Sequence, residues 1–195
     1  MLKILVTGFE SFHKIDVNPT ETVINLLPET HQSHQIVTKV LPVIYGQAFQ
    51  TLLPIIETEK PDVILLMGYA GKRDKLTIER VAINCRDASI KDNANVQCID
   101  TLINTNGRSA YFSTLKLREI INAWNDQGVS STISNSAGTY VCNDLMYQTL
   151  EYIDENNLII QAGFVHVPSC IDGVKLAQDT LKNAIIKLID IQMGE

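Results

Sequence analysis

Apolar residues fall along this chain in two rhythms. Short runs rich in β-branched residues occupy positions 2–9, 63–67 and 159–167, and a half-apolar run occupies 35–41. Runs of that length, bounded by glycine or proline, predict buried strands. Elsewhere the apolar positions recur every three or four residues, the period of a helix. Ala48, Leu52, Ile55 and Ile56 form one such stripe within 45–58. Leu117, Ile120, Ile121 and Trp124 form a second, with Ser113 or Thr114 as its expected cap and Gly128 as its end. Cys142, Leu145, Met146, Thr149 and Ile153 form a third, running to about residue 155. Val174, Ala177, Leu181, Ala184, Ile185 and Leu188 form the last, over 173–191. Asn18-Pro19 opens a further helix, with Asn at the N-cap, Pro at the first helical position and Glu21 behind it; it ends near Leu27-Pro28.

Strand and helix alternate over the first 71 residues, and loops containing Gly8 and Gly68 are expected to leave the ends of the first and third strands. Alternation of this kind implies a three-layer α/β/α fold: a twisted, mixed but largely parallel sheet with helices on both faces. No repeat, low-complexity stretch or linker interrupts it, so residues 1–195 are expected to form a single domain. Ligands in such folds sit at the carboxyl ends of the strands, which makes the Gly8 and Gly68 loops candidate site walls. Residues 76–84 read as extended and residues 131–135 as a short strand. Residues 86–107 are polar and compatible with a hairpin excursion.

Charge and composition narrow the function. A formal net charge of -6 and a pI near 5.2 argue against a nucleic-acid or anionic-membrane partner. No apolar run approaches the roughly 18–20 residues of a membrane span, and the run before Glu10 is too short for a signal peptide core. Cys85, Cys98, Cys142 and Cys170 are therefore expected to be free thiols in a reducing cytoplasm. No cysteine or histidine pair stands at metal-ligand spacing, so neither a metal nor a cofactor is expected. Gly68-x-x-Gly71-Lys72-Arg73 has the wrong spacing for a phosphate loop, and a nucleotide-binding reading rests on that segment alone.

Candidate chemistry concentrates at Cys142 and His166. The stripe beginning at Cys142 puts this thiol in or near a first helical turn, at the positive end of the dipole, where a thiolate forms more readily. The same residue also reads as a small buried cysteine at a helix start. His166 closes an apolar strand just before a proline. It reads as a core histidine or as a general base, and a strand end beside the Cys142 turn would permit a thiolate–imidazolium pair. Such a pair needs a third group to orient the imidazole. Glu79, flanked by Ile78 and Val81, is the best carboxylate for that role, although its own pattern reads first as a surface glutamate paired with Arg80.

Four blocks of sequence carry a family resemblance. They are Ile4-Leu-Val-Thr-Gly-Phe-Glu-Ser-Phe12 with Asn18-Pro19; Gly68-Tyr-Ala-Gly71 running to Thr77-Ile-Glu-Arg-Val-Ala-Ile-Asn84 and Asp92-Asn93; Ala110-Tyr-Phe-Ser-Thr114; and Ser136-Ala-Gly-Thr-Tyr-Val-Cys-Asn143 with Gly163-Phe-Val-His-Val-Pro168. On these the chain resembles pyroglutamyl peptidase type I (pyrrolidone-carboxylate peptidase), a cysteine peptidase family. The resemblance implies removal of an N-terminal pyroglutamyl residue from peptides, with Cys142 as nucleophile, His166 as base and Glu79 as orienting acid. It also implies a pocket for the flat lactam ring, with Phe9, Phe12, Ile90, Tyr140 and Val141 as walls. Asn18 and the Tyr69 backbone would contact the lactam amide and carbonyl. A homodimer or homotetramer is implied in the same way. Three strings depart from the family pattern, the last in chain order being Pro168-Ser169-Cys170-Ile171-Asp172 in place of the family's Leu-Pro-rich run. Glu10-Ser11-Phe12-His13-Lys14 replaces the family's Glu-Pro-Phe-Gly-Gly, and Asp87-Ala88-Ser89-Ile90-Lys91-Asp92-Asn93 replaces Asp-Ala-Arg-Ile-Pro-Asp-Asn. The resemblance places the missing arginine near the cysteine, where Lys91 or Arg86 could substitute. A second reading is therefore a catalytically weakened relative that binds pyroglutamyl peptides or another small amide.

Overall fold

The computed structural model describes residues 1–13 and 16–194; Lys14, which ends the first departing string, lies outside them. In chain order the elements are β1 (Lys3–Phe9), α1 (Pro19–Ile24), β2 (Thr30–His31), β3 (His34–Leu41), α2 (Gln47–Glu59), β4 (Val63–Tyr69), β5 (Leu76–Glu79), β6 (Val81–Ile83), β7 (Ala110–Phe112), α3 (Leu117–Asp126), β8 (Ser131–Ser134), α4 (Val141–Glu155), β9 (Gln161–Val167), β10 (Cys170–Ile171), β11 (Val174–Lys175) and α5 (Gln178–Met193). Seven strands pair in the order β2-β3-β1-β4-β9-β5-β8. The β3, β1, β4 and β9 ladders are parallel, β5 runs antiparallel to β9, and β8 runs parallel to β5. The sheet is thus mixed and largely parallel, as the sequence implies.

Side-chain alternation divides the core into two layers. Ile4, Val6, Val63, Leu65, Met67, Ile78, Val165 and Val167 face α1, α3 and α5, with Trp124, Leu181, Ile185 and Leu188 packed on them. Leu5, Phe9, Ile64, Leu66, Ala162 and Phe164 face α2 and α4, against Leu52, Val141, Leu145 and Met146. Each such buried side chain contributes about 1.5–3 kcal/mol relative to exposure. The alternation also assigns Gly68 and His166 to the α2/α4 layer, two and four residues beyond core members of their strands, and Thr77 and Glu79 to the same layer, alternating with Leu76 and Ile78 of the other.

Four expectations change. Gly8 and Gly68 lie inside β1 and β4, which run on to Phe9 and Tyr69, rather than in the loops. Residues 76–84 break at Arg80, whose N–H reaches the Ser134 carbonyl. Beyond it β6 leaves the main sheet to pair with β7. Ser113 and Thr114 do not cap α3: both hydroxyls donate to the Ala162 carbonyl, and the helix begins at Leu117 with Lys116 as N-cap. The last helix begins at Gln178, not residue 173, because Asp172 and Gly173, both at positive φ, turn the β10–β11 hairpin.

Residues 86–107 form no ladder beyond a single bridge between Arg86 and Thr101. Side chains order them instead. Asp92 Oδ1 accepts from the Ala94 and Val96 amides, and Asn84 Oδ1 from the Ile103 and Asn104 amides. Among the described residues no helix is long and apolar enough to cross a membrane.

Candidate active site

Strand direction decides how the site forms. Because β8 runs opposite to β9, the carboxyl end of β8 lies along the length of β9 and not at its tip. The shared strand-end position expected of the Cys142 turn and His166 is therefore corrected. Residues 135–140 carry the chain back over the sheet, and α4 then starts above β4. Its second residue, Cys142, puts Sγ 2.7 Å from the point a Cβ on Gly68 would occupy. Gly68 in turn is the register partner of His166 on the adjacent strand, about 4.8 Å away across the ladder. A side chain at position 68 would occupy the volume the thiol fills.

The N-terminus of α4 is held by Asn143, which is fully buried. Its Oδ1 accepts from the Ile83 amide at 2.9 Å, and its Nδ2 donates to the Ile83 and Cys85 carbonyls at 2.8 and 3.0 Å. The carboxamide thus pairs with β6 as a strand would. Asp144 joins it: Oδ1 accepts from Arg86 Nε at 2.7 Å and Nη2 at 2.6 Å, and Oδ2 from the Gly46 amide at 2.7 Å.

His166 Nδ1 meets Glu79 Oε1 at 2.7 Å, and both residues are buried. Arg80, the alternative partner of Glu79, instead donates to Asn135 Oδ1. A second donor reaches the same carboxylate oxygen: Arg73 Nη1 at 2.6 Å. Arg73 also donates to Thr77 Oγ1 and to the Ser136 carbonyl at 3.2 Å. Glu79 Oε2 is buried without a hydrogen-bond partner among the described residues.

These surroundings set the protonation states. Burial pushes the Cys142 thiol up to about 12, with the Glu79 charge adding to the rise. Arg73 and the backbone amide of Cys142 oppose it. Burial also lowers the His166 imidazole below its usual range, although the bond to Glu79 and its charge pull the other way. Both shifts disfavour the thiolate–imidazolium pair relative to the neutral pair. Desolvation thus opposes the ionisation expected from the helix dipole.

Around the thiol, Phe9, Phe12, Asn18, Val43, Tyr69, Tyr140 and Val141 line a mostly apolar cavity of about 30 Å³. That is room for a water or two, well below the usual size of a ligand pocket, so a ring enters only as the walls part. Tyr140 forms its outer wall, edge-on to Tyr45 at 5.5 Å between centroids, with its hydroxyl on the Lys91 carbonyl at 3.0 Å. Asn18 is committed on one side: Oδ1 accepts from the Thr20 amide and hydroxyl, and Nδ2 donates to the Glu10 carbonyl.

The structure thus brings together Cys142, His166 and Glu79, and six of the seven expected substrate-binding residues. Ile90 stands apart, lining a separate polar cavity with His13, Ser89, Lys91 and Asp92. Val43, Asn143 and Arg73 were not singled out by sequence patterns. In sequence Arg73 reads only as the tail of a phosphate loop; it stands in the turn before β5, and no periodicity links it to Glu79. Among the possible substitutes for the missing arginine, Arg86 is held by Asp144 and Lys91 is exposed. All four cysteines are unpaired.

Comparison with known proteins bears on the whole chain. The profile of the pyroglutamyl peptidase family matches residues 2–186. A pyrrolidone-carboxylate peptidase of Brachyspira hyodysenteriae is 38% identical over 193 residues, covering 97% of this chain and 96% of the relative. One from Streptococcus pyogenes serotype M1 is 41% identical, covering 99% and 88%. Among solved structures, pyroglutamyl peptidase I of Bacillus amyloliquefaciens superposes with a TM-score of 0.93 at 29% identity, covering 100% of this chain and 98% of that one. The pyrrolidone carboxyl peptidase of Thermococcus litoralis does so at 0.93 and 32%, covering 100% and 94%.

Proposed function

The chain belongs to the pyroglutamyl peptidase family, and we propose on that premise that Cys142, His166 and Glu79 are the groups with which it removes an N-terminal pyroglutamyl residue from peptides. The observation that carries this assignment is convergence on one sheet face: a thiol on a helix N-terminus, an imidazole bonded to a buried carboxylate, and a small apolar cavity opening onto the thiol.

His166 Nδ1–H donates to Glu79, which leaves Nε2 as the base. Sγ attacks the pyroglutamyl carbonyl carbon while Nε2 takes the thiol proton, so charge separates only as the new bond forms. The first-turn amide of Cys142, one of the N–H groups a helix leaves unpaired, stabilises the oxyanion. The imidazolium gives its proton to the leaving amine nitrogen as the C–N bond breaks, and a thioester remains. Water, deprotonated by Nε2, hydrolyses it and restores the thiol.

Phe9, Phe12, Val43, Tyr140 and Val141 hold the lactam ring, and the second Nδ2 hydrogen of Asn18 and the Tyr69 backbone bond its polar edge. A pyroglutamyl group carries no charged amine, so a dry cavity with few polar contacts selects it over proline, whose ammonium would lose its hydration there. An aryl amide of pyroglutamate should be cleaved and the matching prolyl amide left intact. Failure to release the arylamine, or equal release from both, would sink the assignment.

We also propose one domain over residues 1–195, a homodimer or homotetramer, and a cytoplasmic site of action, the last supported by the four unpaired thiols. Light scattering of the purified chain tests the assembly.

A further inference from the structure

Among the described residues Glu79 holds two donors on one oxygen and none on the other. A carboxylate whose only task was to orient an imidazole would not need Arg73. The arginine is itself aimed by two further bonds, to Thr77 Oγ1 and to the Ser136 carbonyl at 3.2 Å. Thr77 is the register partner of His166, and Ser136 lies in the segment that carries the chain to Cys142. One guanidinium therefore touches the strand beside the base, the acid and the approach to the nucleophile.

We propose that Arg73 is a positioning residue of this site: it clamps Glu79 Oε1 against His166 Nδ1, ties residue 136 of the nucleophile loop to β5, and offsets the carboxylate's charge so that the imidazole is a competent acid as well as a base. This rests on the assignment of Cys142 and His166 above.

The charges facing His166 are few. Glu79 comes from β5, Arg73 from the turn before it, and the Cys142 thiol from α4; the Phe164 ring, 4.7 Å between centroids, is uncharged. A buried carboxylate alone would favour the imidazolium and disfavour the thiolate. An imidazolium held too firmly cannot release its proton to the leaving amine. Arg73 acts against both effects: it lowers His166 and it lowers Cys142, in each case against the Glu79 charge. Removing the guanidinium charge should therefore move both groups upward in pH together. Loss of packing alone would move neither.

The test reads alkylation of Cys142 by iodoacetamide as a function of pH, with the modified peptide identified by mass spectrometry so that the other three cysteines do not contribute. It needs no substrate, so it stands even if pyroglutamyl amides are not cleaved. In Arg73→Gln the alkylation limbs should shift to higher pH by about one unit, and kcat on a pyroglutamyl amide should fall roughly 10- to 100-fold. Arg73→Lys, which keeps the charge but not the planar fork, should leave the limbs within a few tenths of a unit while kcat still falls several-fold. Limbs that stay in place in Arg73→Gln, whatever happens to kcat, overturn the proposal. Should Arg73→Gln fail to fold, Arg73→Lys decides: displaced limbs or wild-type kcat in that variant overturn it equally.

Discussion

Two buried carboxylates stand on either side of Cys142, and they are built differently. Asp144 is fully saturated. One oxygen takes both Arg86 nitrogens, and the other takes the Gly46 amide and Gln148 Nε2 at 2.9 Å. Glu79 shares one oxygen between Arg73 and His166, and the other has no partner among the described residues. Both side chains are fully buried. Burial therefore does not separate them, and satisfaction does. A saturated carboxylate is locked, and it fixes α4 against the start of α2 and the segment that follows β6. An unsaturated one is poised, because its partner His166 must change protonation in every turnover. Structure and chemistry thus divide between two acids that look alike in composition.

The sharpest way to break this comparison is to neutralise the poised acid. Glu79→Gln keeps the shape but offers His166 a neutral partner that permits the wrong tautomer. It should lower kcat by about 10³–10⁴ with little change in Tm. Steady-state kinetics beside a thermal scan checks this, and a loss under tenfold would return Glu79 to a structural role. Gly68→Ala comes next. The new Cβ would lie 2.7 Å from Sγ and from the Phe164 ring, so the thiol must move, and kcat/KM should fall about 100-fold. The saturated acid should respond in the opposite currency. Asp144→Ala leaves Arg86 partly buried without its partner and should cost about 3 kcal/mol, or roughly 6–12 °C in Tm. Its folded fraction should lose far less kcat than Glu79→Gln does.

The smallest effect concerns pH. His166 is held below its usual range, so it stays neutral and able to accept a proton as the medium acidifies. The acid limb of kcat/KM should fall below the ordinary histidine value of about 6.5. Stability carries the matching sign. The unfolded chain protonates His166 more readily, so acidification below about pH 6.5 favours unfolding. A pH-rate profile with its acid limb above 6.5 would contradict the buried, neutral imidazole.

Much of this site was legible from sequence. Cys142 sits where its apolar stripe begins, and His166 where an apolar strand meets a proline; both signals are local. The same holds for Asn18, whose cap role follows from the proline beside it. What escaped depends on contacts between distant segments. No local pattern reports that β5 and β8 run against β9, yet that reversal is why residues 135–140 must fold back to deliver Cys142. Ser113 and Thr114 look like caps but bond a carbonyl 48 or 49 residues away. Ile90 sits on a side-chain-ordered excursion that has no periodicity to read. The thiol's ionisation shows the same limit: the helix dipole is visible in sequence, and the desolvation that opposes it is not. Asp172-Gly173 was different, a legible turn signal overridden by the long apolar stripe that follows.

The central claim is that Cys142 is the nucleophile. Its most direct test compares wild type with Cys142→Ser on a pyroglutamyl aryl amide, after thermal scans show both folded. The serine hydroxyl is a poor nucleophile in a site built for a thiol, and the rate should fall by at least about 10³. A Cys142→Ser protein that kept its rate within tenfold of wild type would contradict the claim.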